Sequence, residues 1–345
     1  MKIVVDRVIP FVQGVFEPYA DSVVYLKGED IRHEDILDAD ALVIRTRTRC
    51  DAAMLEGTRV RVIATAAIST DNIDMDYCSR QGIFVNNATG SNAGGVMNYV
   101  MSALYGVASR KSLHLEGSTF GIIGAGNVGK RVETAAKDLG FKVLLYDPPR
   151  AEAEGHYDFC SLEYLLENSN IVTMHLPVNA NTRGMADENF FARMRPGAIF
   201  INAANGELVV ERALKAAIPK LGAVILDTWN NEPDVDRVLV SMVDIATPHI
   251  AGYSHQGKQR SSAAAVRTIA RYYGITPLLD FFPPAEVNEQ EAVRLDVRGK
   301  SQGQVASLFQ YNYPIFIDDF MFRVDPGNFA ALRENYSYRR EFLLD

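Results

Sequence analysis

Two side chains of this sequence could transfer a proton together. His249 lies in the segment TPHIAG, and Glu232 lies in DTWNNEP. Each follows an apolar, strand-like run, and the carboxyl ends of parallel strands are where ligand-binding side chains collect. A histidine can take a proton from a hydroxyl group, and a carboxylate can orient the ring that does so. The alternative is that each residue is solvated or caps a turn, and spacing alone does not decide between the two interpretations.

A glycine-rich turn indicates a dinucleotide site. The run TFGII is followed by GAGNVG, with glycines at 124, 126 and 129, and then by a helical pattern. The first glycine permits a tight turn, the second lets backbone approach a pyrophosphate, and the third lets the helix pack on the strand. Asp147 ends the next strand-like run and can bind ribose hydroxyls, which favours NAD, although Arg150 nearby leaves NADP open. The alternative, a structural turn with an incidental aspartate, does not explain all three glycines and the acid together.

The composition excludes several classes of protein. A net charge of -8 and a pI near 5.4 argue against a nucleic-acid binder, which needs a basic surface. Cys50, Cys78 and Cys160 are odd in number and widely spaced, so they indicate neither a disulfide framework nor a metal site. No run approaches the roughly 18 apolar residues that span a bilayer. We therefore expect a soluble, cytoplasmic protein without a membrane segment.

Strand-like and helical patterns alternate along the chain in two series. The first series contains KIVVD, SVVYL, ALVIR, VRVIAT and IFVN, and the second contains TFGIIG, KVLLYD, NIVTMH, GAIFIN and GAVILD. Such alternation is typical of βαβ units around a parallel sheet. The sequence therefore predicts an α/β protein with two doubly wound, Rossmann-like domains. Helical patterns are expected near residues 92–109 and 256–273.

A third, smaller part is expected at the carboxyl terminus. The segment TPLLDFFPPAE contains Pro277, Pro283 and Pro284, which cannot continue a helix, so we expect a boundary there. The remainder of the chain contains a strand-like EAVRLDV and an apolar-periodic segment through VASLF. This α+β part is small for an independent domain, so we expect it to pack on its neighbours or on a second subunit. The predicted domains are 1–98 with 255–280, then 99–254 with the dinucleotide turn, and 281–345.

Four segments together resemble a known family. GAGNVG, INAANGELV, LDTWNNEP and TPHIAG are similar to those of the D-isomer-specific 2-hydroxyacid dehydrogenases, from Met1 to about Tyr273. The resemblance implies an NAD-dependent oxidoreductase in which His249 is the acid/base and Glu232 orients it. Other segments, including KIVVDRVIPF, HIAGYSHQGK and NFAALRENYSYRREF, resemble one branch of that family. That likeness implies that 1–98 with 255–280 binds the substrate, a small phosphorylated 2-hydroxy acid, and that 99–254 binds NAD. It also implies a homodimer formed through the C-terminal domain, 281–345.

The resemblance also assigns binding residues. Those expected to bind the cofactor are Gly124, Gly126, Asn127, Val128, Gly129, Asp147, Ala203, Asp227 and Gly252. Those expected to bind substrate are Arg45, Thr46, Ala67 and Tyr253. Arg45, Arg47 and Arg49 form a basic cluster in an acidic protein, which suits a substrate with a carboxylate and a phosphate. A solvated charged turn is the alternative, which we favour for Arg49.

Several substrate-side positions depart from the family pattern. Asn205 stands at the catalytic position where an arginine is expected to bind the substrate carboxylate, and a neutral amide binds it more weakly. Losing one such electrostatic contact typically costs about 3–4 kcal/mol, or 10² to 10³ in rate. Ala67 replaces a threonine, Ser69 replaces a glycine, and Thr89 replaces a proline. A serine in a glycine conformation is expected to strain its loop.

These departures leave other functions open. One is the binding of NAD(H) or substrate without appreciable turnover, which the neutral residues at 205 and 67 motivate. Another is the oxidation of a different 2-hydroxy acid, with the tail serving only assembly. A transcriptional corepressor with the same fold is disfavoured, because nothing in the sequence suggests a groove for a partner.

Overall fold

Three parallel sheets organise the computed structural model, which describes residues 1–283 and 291–345. The first sheet has the order β2-β1-β3-β4-β5, the second β11-β10-β9-β8-β6-β7, and the third pairs β12 with β13. The strands are β1 (Lys2–Asp6), β2 (Ser22–Leu26), β3 (Ala41–Ile44), β4 (Val62–Thr65), β5 (Phe84–Asn87), β6 (Thr119–Ile123), β7 (Lys142–Tyr146), β8 (Ile171–Met174), β9 (Ile199–Asn202), β10 (Ala223–Leu226), β11 (Ile245–Ala246), β12 (Val293–Leu295) and β13 (Phe342–Leu344).

The helices connect consecutive strands of the two larger sheets and make up most of the C-terminal part. They are α1 (His33–Ile36), α2 (Ala52–Leu55), α3 (Met75–Gln81), α4 (Ala93–Lys111), α5 (Asn127–Asp138), α6 (Pro148–Glu154), α7 (Leu162–Asn168), α8 (Glu188–Arg193), α9 (Glu211–Ala217), α10 (Arg237–Met242), α11 (His255–Tyr273), α12 (Gln302–Asn312), α13 (Ile315–Val324) and α14 (Phe329–Glu334).

The chain divides into two compact units. The first unit is formed by residues 1–92 and 255–283 and contains the five-stranded sheet. The second is formed by residues 93–254 and 291–345 and contains the six-stranded sheet together with the small one. The segment predicted to be a boundary extends past Pro283 into residues outside those described, Pro284 among them.

The parallel sheets follow from strands that are apolar on both faces. In β6, Ile122 and Ile123 are both fully buried, but they belong to different clusters of core side chains on opposite faces of the sheet. In β9, Ile201 and Phe200 divide in the same way. Successive strand residues point to opposite faces, so a strand covered by helices on both sides must be apolar throughout. This confirms the predicted pair of doubly wound α/β sheets.

The C-terminal tail, residues 291–345, packs on residues 93–254 within the second unit. Phe309 and Phe342 stack with ring centroids 5.0 Å apart in the core beside α4, whereas Phe322 lies 5.7 Å from Trp229 on the other face of the sheet. Arg323 in α13 donates hydrogen bonds to the carbonyls of Val240 and Val243. The expectation that this part packs on its neighbours is confirmed. Strand β13 and helix α13 were not predicted.

The long helices match their predicted ranges within two residues, with α4 at Ala93–Lys111 and α11 at His255–Tyr273. Neither of these helices, nor any other in the described parts of the chain, is long and apolar enough to cross a membrane.

Asn98 should be an important anchor of the tail. Its side chain, 1% exposed, accepts from the Phe342 N–H at 3.0 Å and donates to the Phe342 carbonyl at 2.8 Å. Asn98→Ala leaves both buried backbone groups unpaired, so we expect a loss of about 2–4 kcal/mol in the free energy of unfolding. Urea denaturation measures it. Asn335→Ala, at an exposed asparagine of the same tail, is the control, and equal stability of the two variants would contradict this role.

Candidate active site

A buried carboxylate holds the turn that follows β11. Asp227 is fully buried at the end of β10 and accepts hydrogen bonds from the Thr247 hydroxyl at 2.6 Å and from the backbone N–H groups of Ile250 and Ala251 at 2.8 Å. Its own carbonyl accepts from the His249 N–H at 2.7 Å. Burial raises the pKa of the Asp227 carboxyl, and these donors and the nearby histidine oppose that rise.

This turn places His249 in a backbone conformation that a histidine rarely adopts. Its φ of +57° lies in the left-handed region, which costs a non-glycine residue of order 1–3 kcal/mol. The hydrogen bonds to Asp227 on both sides of the residue offset that cost. Strained backbone held in this way is typical of functional sites, because it fixes the direction of one side chain.

His249 and Glu232 form the predicted pair. Nδ1 of His249 lies 2.7 Å from Oε2 of Glu232, and Oε1 of Glu232 accepts from the Trp229 N–H at 3.0 Å. Burial opposes ionisation of Glu232, but the hydrogen bonds from His249 and Trp229 and the positive charge of Arg333 together lower the pKa of its carboxyl. An ionised Glu232 accepts the proton of Nδ1, which leaves Nε2 as the base of the neutral ring. The histidine side chain is 35% exposed, so this nitrogen can reach a ligand.

The C-terminal tail forms hydrogen bonds with this turn. Arg339, a buried residue close to β13, donates to the carbonyl of Ile250 at 2.9 Å and also to the carbonyl of Ala251. Tyr253, two residues further along, packs edge to face with Tyr336, with centroids 6.0 Å apart. The tail therefore fixes the main chain directly after His249.

The cofactor turn has the geometry that a pyrophosphate requires. Gly124 has a φ of +90°, and a Cβ there would lie 2.5 Å from the His175 carbonyl oxygen. A Cβ at Gly129 would overlap the Gly124 carbonyl oxygen, whereas one at Gly126 would meet open space. Gly126 caps α5, whose first residue, Asn127, is exposed. The free N–H groups of this helix start are therefore not blocked by a side chain at Gly126, and such a helix start is where a diphosphate can bind.

Asp147 is placed beside that turn. Its carboxylate accepts from the Ala125 N–H at 2.8 Å and from the Arg150 N–H at 3.1 Å, which ties β7 to the glycine turn. The Arg150 guanidinium donates to Glu154 and to the Ala125 carbonyl. An arginine already paired with a carboxylate is a poor ligand for the extra phosphate of NADP, so the local charges favour NAD.

Asn205 lies at the end of the loop after β9. Its backbone caps the short 3-10 helix Gly206–Leu208, and its half-buried side chain donates a long hydrogen bond, 3.5 Å, to the Leu176 carbonyl. The Asn202 side chain donates to the Asn205 carbonyl at 2.8 Å and so fixes the loop. Residue 205 thus presents a neutral amide. Three other predicted cofactor residues, Val128, Ala203 and Gly252, lie at the start of α5, after β9 and after the His249 turn.

Two of the predicted substrate residues of the first unit, Arg45 and Thr46, lie at its topological switch point, between β1 and β3. Arg45 follows β3, and its Nε donates to the buried Asp6 carboxylate at 3.0 Å. Thr46 beside it is exposed. Ligands bind at such switch points in open α/β sheets because the loops diverge there. Arg49 is 83% exposed and pairs with Asp51, in agreement with the solvated role favoured for it from the sequence.

One expectation at this edge is wrong. Ser69 does not adopt a left-handed conformation, since the positive-φ residues other than glycine in the described chain are Phe11, Ser112, Asn231 and His249. Its hydroxyl accepts from the Asp71 N–H at 3.1 Å, a local bond that glycine cannot make. The loop therefore tolerates serine without backbone strain. Ala67 is half-buried and pairs through its carbonyl with the Ala88 N–H.

Sequence reasoning missed two arginines of the tail. Arg339 supports the His249 turn, and Arg333 places its Nη1 3.9 Å from Oε2 of Glu232. Both lie more than 80 residues beyond the His249 motif, in a segment interpreted only as an assembly element. The charged run YRREF was the available signal for Arg339, whereas Arg333 lies outside it, and no spacing rule connects either arginine to the His249 turn.

Comparisons with known proteins agree with this geometry. Residues 98–251 match the model for the D-isomer specific 2-hydroxyacid dehydrogenase, NAD binding domain. An erythronate-4-phosphate dehydrogenase of Bacteroides fragilis is 38% identical over 99% of this chain and 97% of its own length. One from Chromohalobacter salexigens is 43% identical over 80% of this chain and 73% of its own length.

The fold is shared with solved structures. A 3-phosphoglycerate dehydrogenase of Entamoeba histolytica with bound NAD+ superposes with a TM-score of 0.65 at 26% identity, covering 84% of this chain and 98% of its own. The cofactor expected from the glycine turn and Asp147 is therefore confirmed as NAD.

Two glycine variants should separate cofactor binding from folding. Gly126→Ala places a methyl group in the space before α5, so we expect NADH affinity to fall about tenfold or more while stability is retained. In Gly129→Ala the new methyl group pushes α5 away from the glycine turn. We expect this variant to lose NADH affinity and also roughly 1–3 kcal/mol in the free energy of unfolding. Calorimetric titration with NADH and thermal unfolding measure both effects. Unchanged NADH affinity in Gly126→Ala would refute this interpretation of the turn.

Proposed function

Because the chain belongs to the D-isomer-specific 2-hydroxyacid dehydrogenase family, in the branch of the erythronate-4-phosphate dehydrogenases, we propose that it oxidises 4-phospho-D-erythronate to the 2-oxo acid. The observation that carries the proposal is the 2.7 Å hydrogen bond between Glu232 and His249, in the unit that binds NAD. We place the reaction in pyridoxal 5'-phosphate biosynthesis, the pathway of the branch that the tail resembles.

The proposed chemistry uses His249 as the base. Bound NAD supplies an acceptor for the hydride that leaves C2. Nε2 of His249 takes the proton of the C2 hydroxyl, so the C–H and O–H bonds break and a C=O bond forms. The ring then carries a positive charge, which the ionised Glu232 stabilises through Nδ1. The proton leaves to solvent through the exposed part of the ring.

The substrate's anionic groups need cations or amides. We assign Arg45 and Thr46 to one of these groups, supported by the position of Arg45 at the switch point of the first sheet. Ala67 and Tyr253 retain the substrate-binding roles that the resemblance gives them. We assign binding of the substrate carboxylate to Asn205 and neighbouring backbone amides. Because this amide is neutral, we propose that turnover is slower than an arginine at 205 would give.

We further propose that the tail forms a homodimer. Four apolar side chains of α13 are more than half exposed at positions i, i+3, i+4 and i+7: Ile317, Phe320, Met321 and Val324. This spacing puts them on one stripe of the helix. Contiguous exposed apolar surface of this kind marks an interaction site, and the resemblance of the tail to a dimerisation domain identifies a second copy as the partner.

Turnover should depend on His249 and rise with a charge at 205. With 4-phosphoerythronate and NAD, we expect NADH formation by the unaltered chain and a fall of about 10² to 10⁴ in kcat for His249→Gln, which lacks the base. Asn205→Arg should raise kcat/KM about 10- to 100-fold, because it adds a charge-assisted contact. Absorbance at 340 nm measures all three.

Controls make each result decisive. Asn205→Gln lengthens the side chain without adding charge and should leave kcat/KM near that of the unaltered chain. Turnover only in Asn205→Arg would mean that this chain is a binding protein on an intact scaffold. Faster turnover of an unphosphorylated 2-hydroxy acid would replace the proposed substrate. Full activity in His249→Gln would overturn the mechanism.

A charge on the α13 stripe should break the dimer. We expect Phe320→Asp, at a side chain 64% exposed, to sediment as a monomer with unchanged NADH affinity, because the carboxylate cannot be buried unpaired in an apolar interface. Tyr157→Asp, at a fully exposed residue remote in sequence, is the control and should remain a dimer. Sedimentation of the unaltered chain as a monomer would refute the assembly.

A further inference from the structure

Arg333 of α14 lies beside the catalytic pair. Its Nη1 is 3.9 Å from Oε2 of Glu232, the same oxygen that contacts His249. Its guanidinium carbon lies 5.7 Å from the ring centroids of both Tyr253 and Phe329. Contacts with two aromatic rings hold a guanidinium in place but leave its in-plane N–H groups available.

Those N–H groups have no acceptor within the described chain. Nε of Arg333 is buried and unpaired, and in the described residues the guanidinium makes no hydrogen bond, since 3.9 Å to Glu232 is too long for one. Burying an unpaired donor is unfavourable, so such a group in a native structure calls for an explanation. The side chain is 32% exposed, which leaves one edge open to a ligand.

Glu232 does not require Arg333 as a hydrogen-bond partner. Its two oxygens already accept from His249 at 2.7 Å and from the Trp229 N–H at 3.0 Å. Hydrogen bonding to Glu232 therefore does not account for the position of Arg333. Asn205, in the position expected to be cationic, carries no charge, so an anionic substrate in this unit must find its positive charge elsewhere.

We propose that Arg333 is a substrate-binding residue, which binds an anionic oxygen group of the substrate next to the Glu232–His249 pair. The ligand chemistry is an oxyanion, either a carboxylate or a phosphate, bound through the in-plane N–H groups. The C-terminal tail then contributes directly to the site in addition to assembly. The proposal deepens the proposed function and rests on it for the identity of the substrate.

Oxyanion binding tests this assignment without turnover. Oxalate and inorganic phosphate are titrated calorimetrically into the full-length protein saturated with NADH, for the unaltered chain, Arg333→Gln and Arg333→Lys. We expect Arg333→Gln to weaken the binding of one or both anions about tenfold or more, and Arg333→Lys to restore part of it. The anion more affected shows whether the arginine binds a carboxylate or a phosphate.

A matched variant and two site probes control the experiment. Arg298→Gln removes an exposed tail arginine that pairs with Asp296, and it should leave oxyanion binding unchanged. NADH affinity and the fluorescence of Trp229, the single tryptophan and a direct neighbour of Glu232, report whether each variant keeps the site folded.

The outcomes separate this assignment from the proposed function. Oxalate and phosphate affinities within about twofold in Arg333→Gln overturn the assignment, even if kcat falls, since the arginine would then act only through Glu232. Binding of neither anion to the unaltered chain overturns it as well. Loss of oxyanion binding in Arg333→Gln, with no turnover of 4-phosphoerythronate by the unaltered chain, upholds the assignment and rejects the substrate.

Discussion

The carboxylate of Asp227 is the contact on which the geometry of the proposed catalytic site depends. It lies at the carboxyl end of β10, without solvent, and accepts three hydrogen bonds from the turn that carries His249. A histidine at a φ of +57° needs such support, because its own preference is for extended or helical backbone. The same aspartate therefore joins the sheet to the turn. Removing it would free the turn even if His249 itself stayed in place.

The two larger sheets place the other functional residues by the same rule. In the second unit the strand order reverses next to β6, and the glycine turn follows that strand. In the first unit the order reverses between β1 and β3, where Asp6 and Arg45 meet. Loops separate at these points and leave room for a ligand. In each unit, polar groups therefore lie at the carboxyl ends of the parallel strands, next to the switch point.

The tail contacts the proposed site of the second unit as well as contributing to its core. Its aromatic side chains pack in the cores on both faces of the six-stranded sheet. Arg339 donates hydrogen bonds to the carbonyls of Ile250 and Ala251, which follow His249. Arg333 then lies beside Glu232. A segment that served assembly alone would not need a buried arginine, Arg339, at the His249 turn and a second arginine beside Glu232. Although burial opposes the charge of Arg339, the neighbouring Tyr313, Tyr336 and Asp318 raise its pKa, so its charge is permanent.

The sequence by itself determined what depends on local order along the chain. Glycine spacing and strand-helix alternation predicted the two sheets and the NAD turn, because each is encoded within a few dozen residues. The pairing of Glu232 with His249 was implied by the family resemblance of their motifs, since spacing alone left it undecided. The tertiary structure decided the rest. Arg333 and Arg339 lie near the site only because a distant tail packs there. The Ser69 hydroxyl accepts a local hydrogen bond, and its backbone is not left-handed. Contacts between residues far apart in sequence leave no periodic trace, so only the folded chain reveals them.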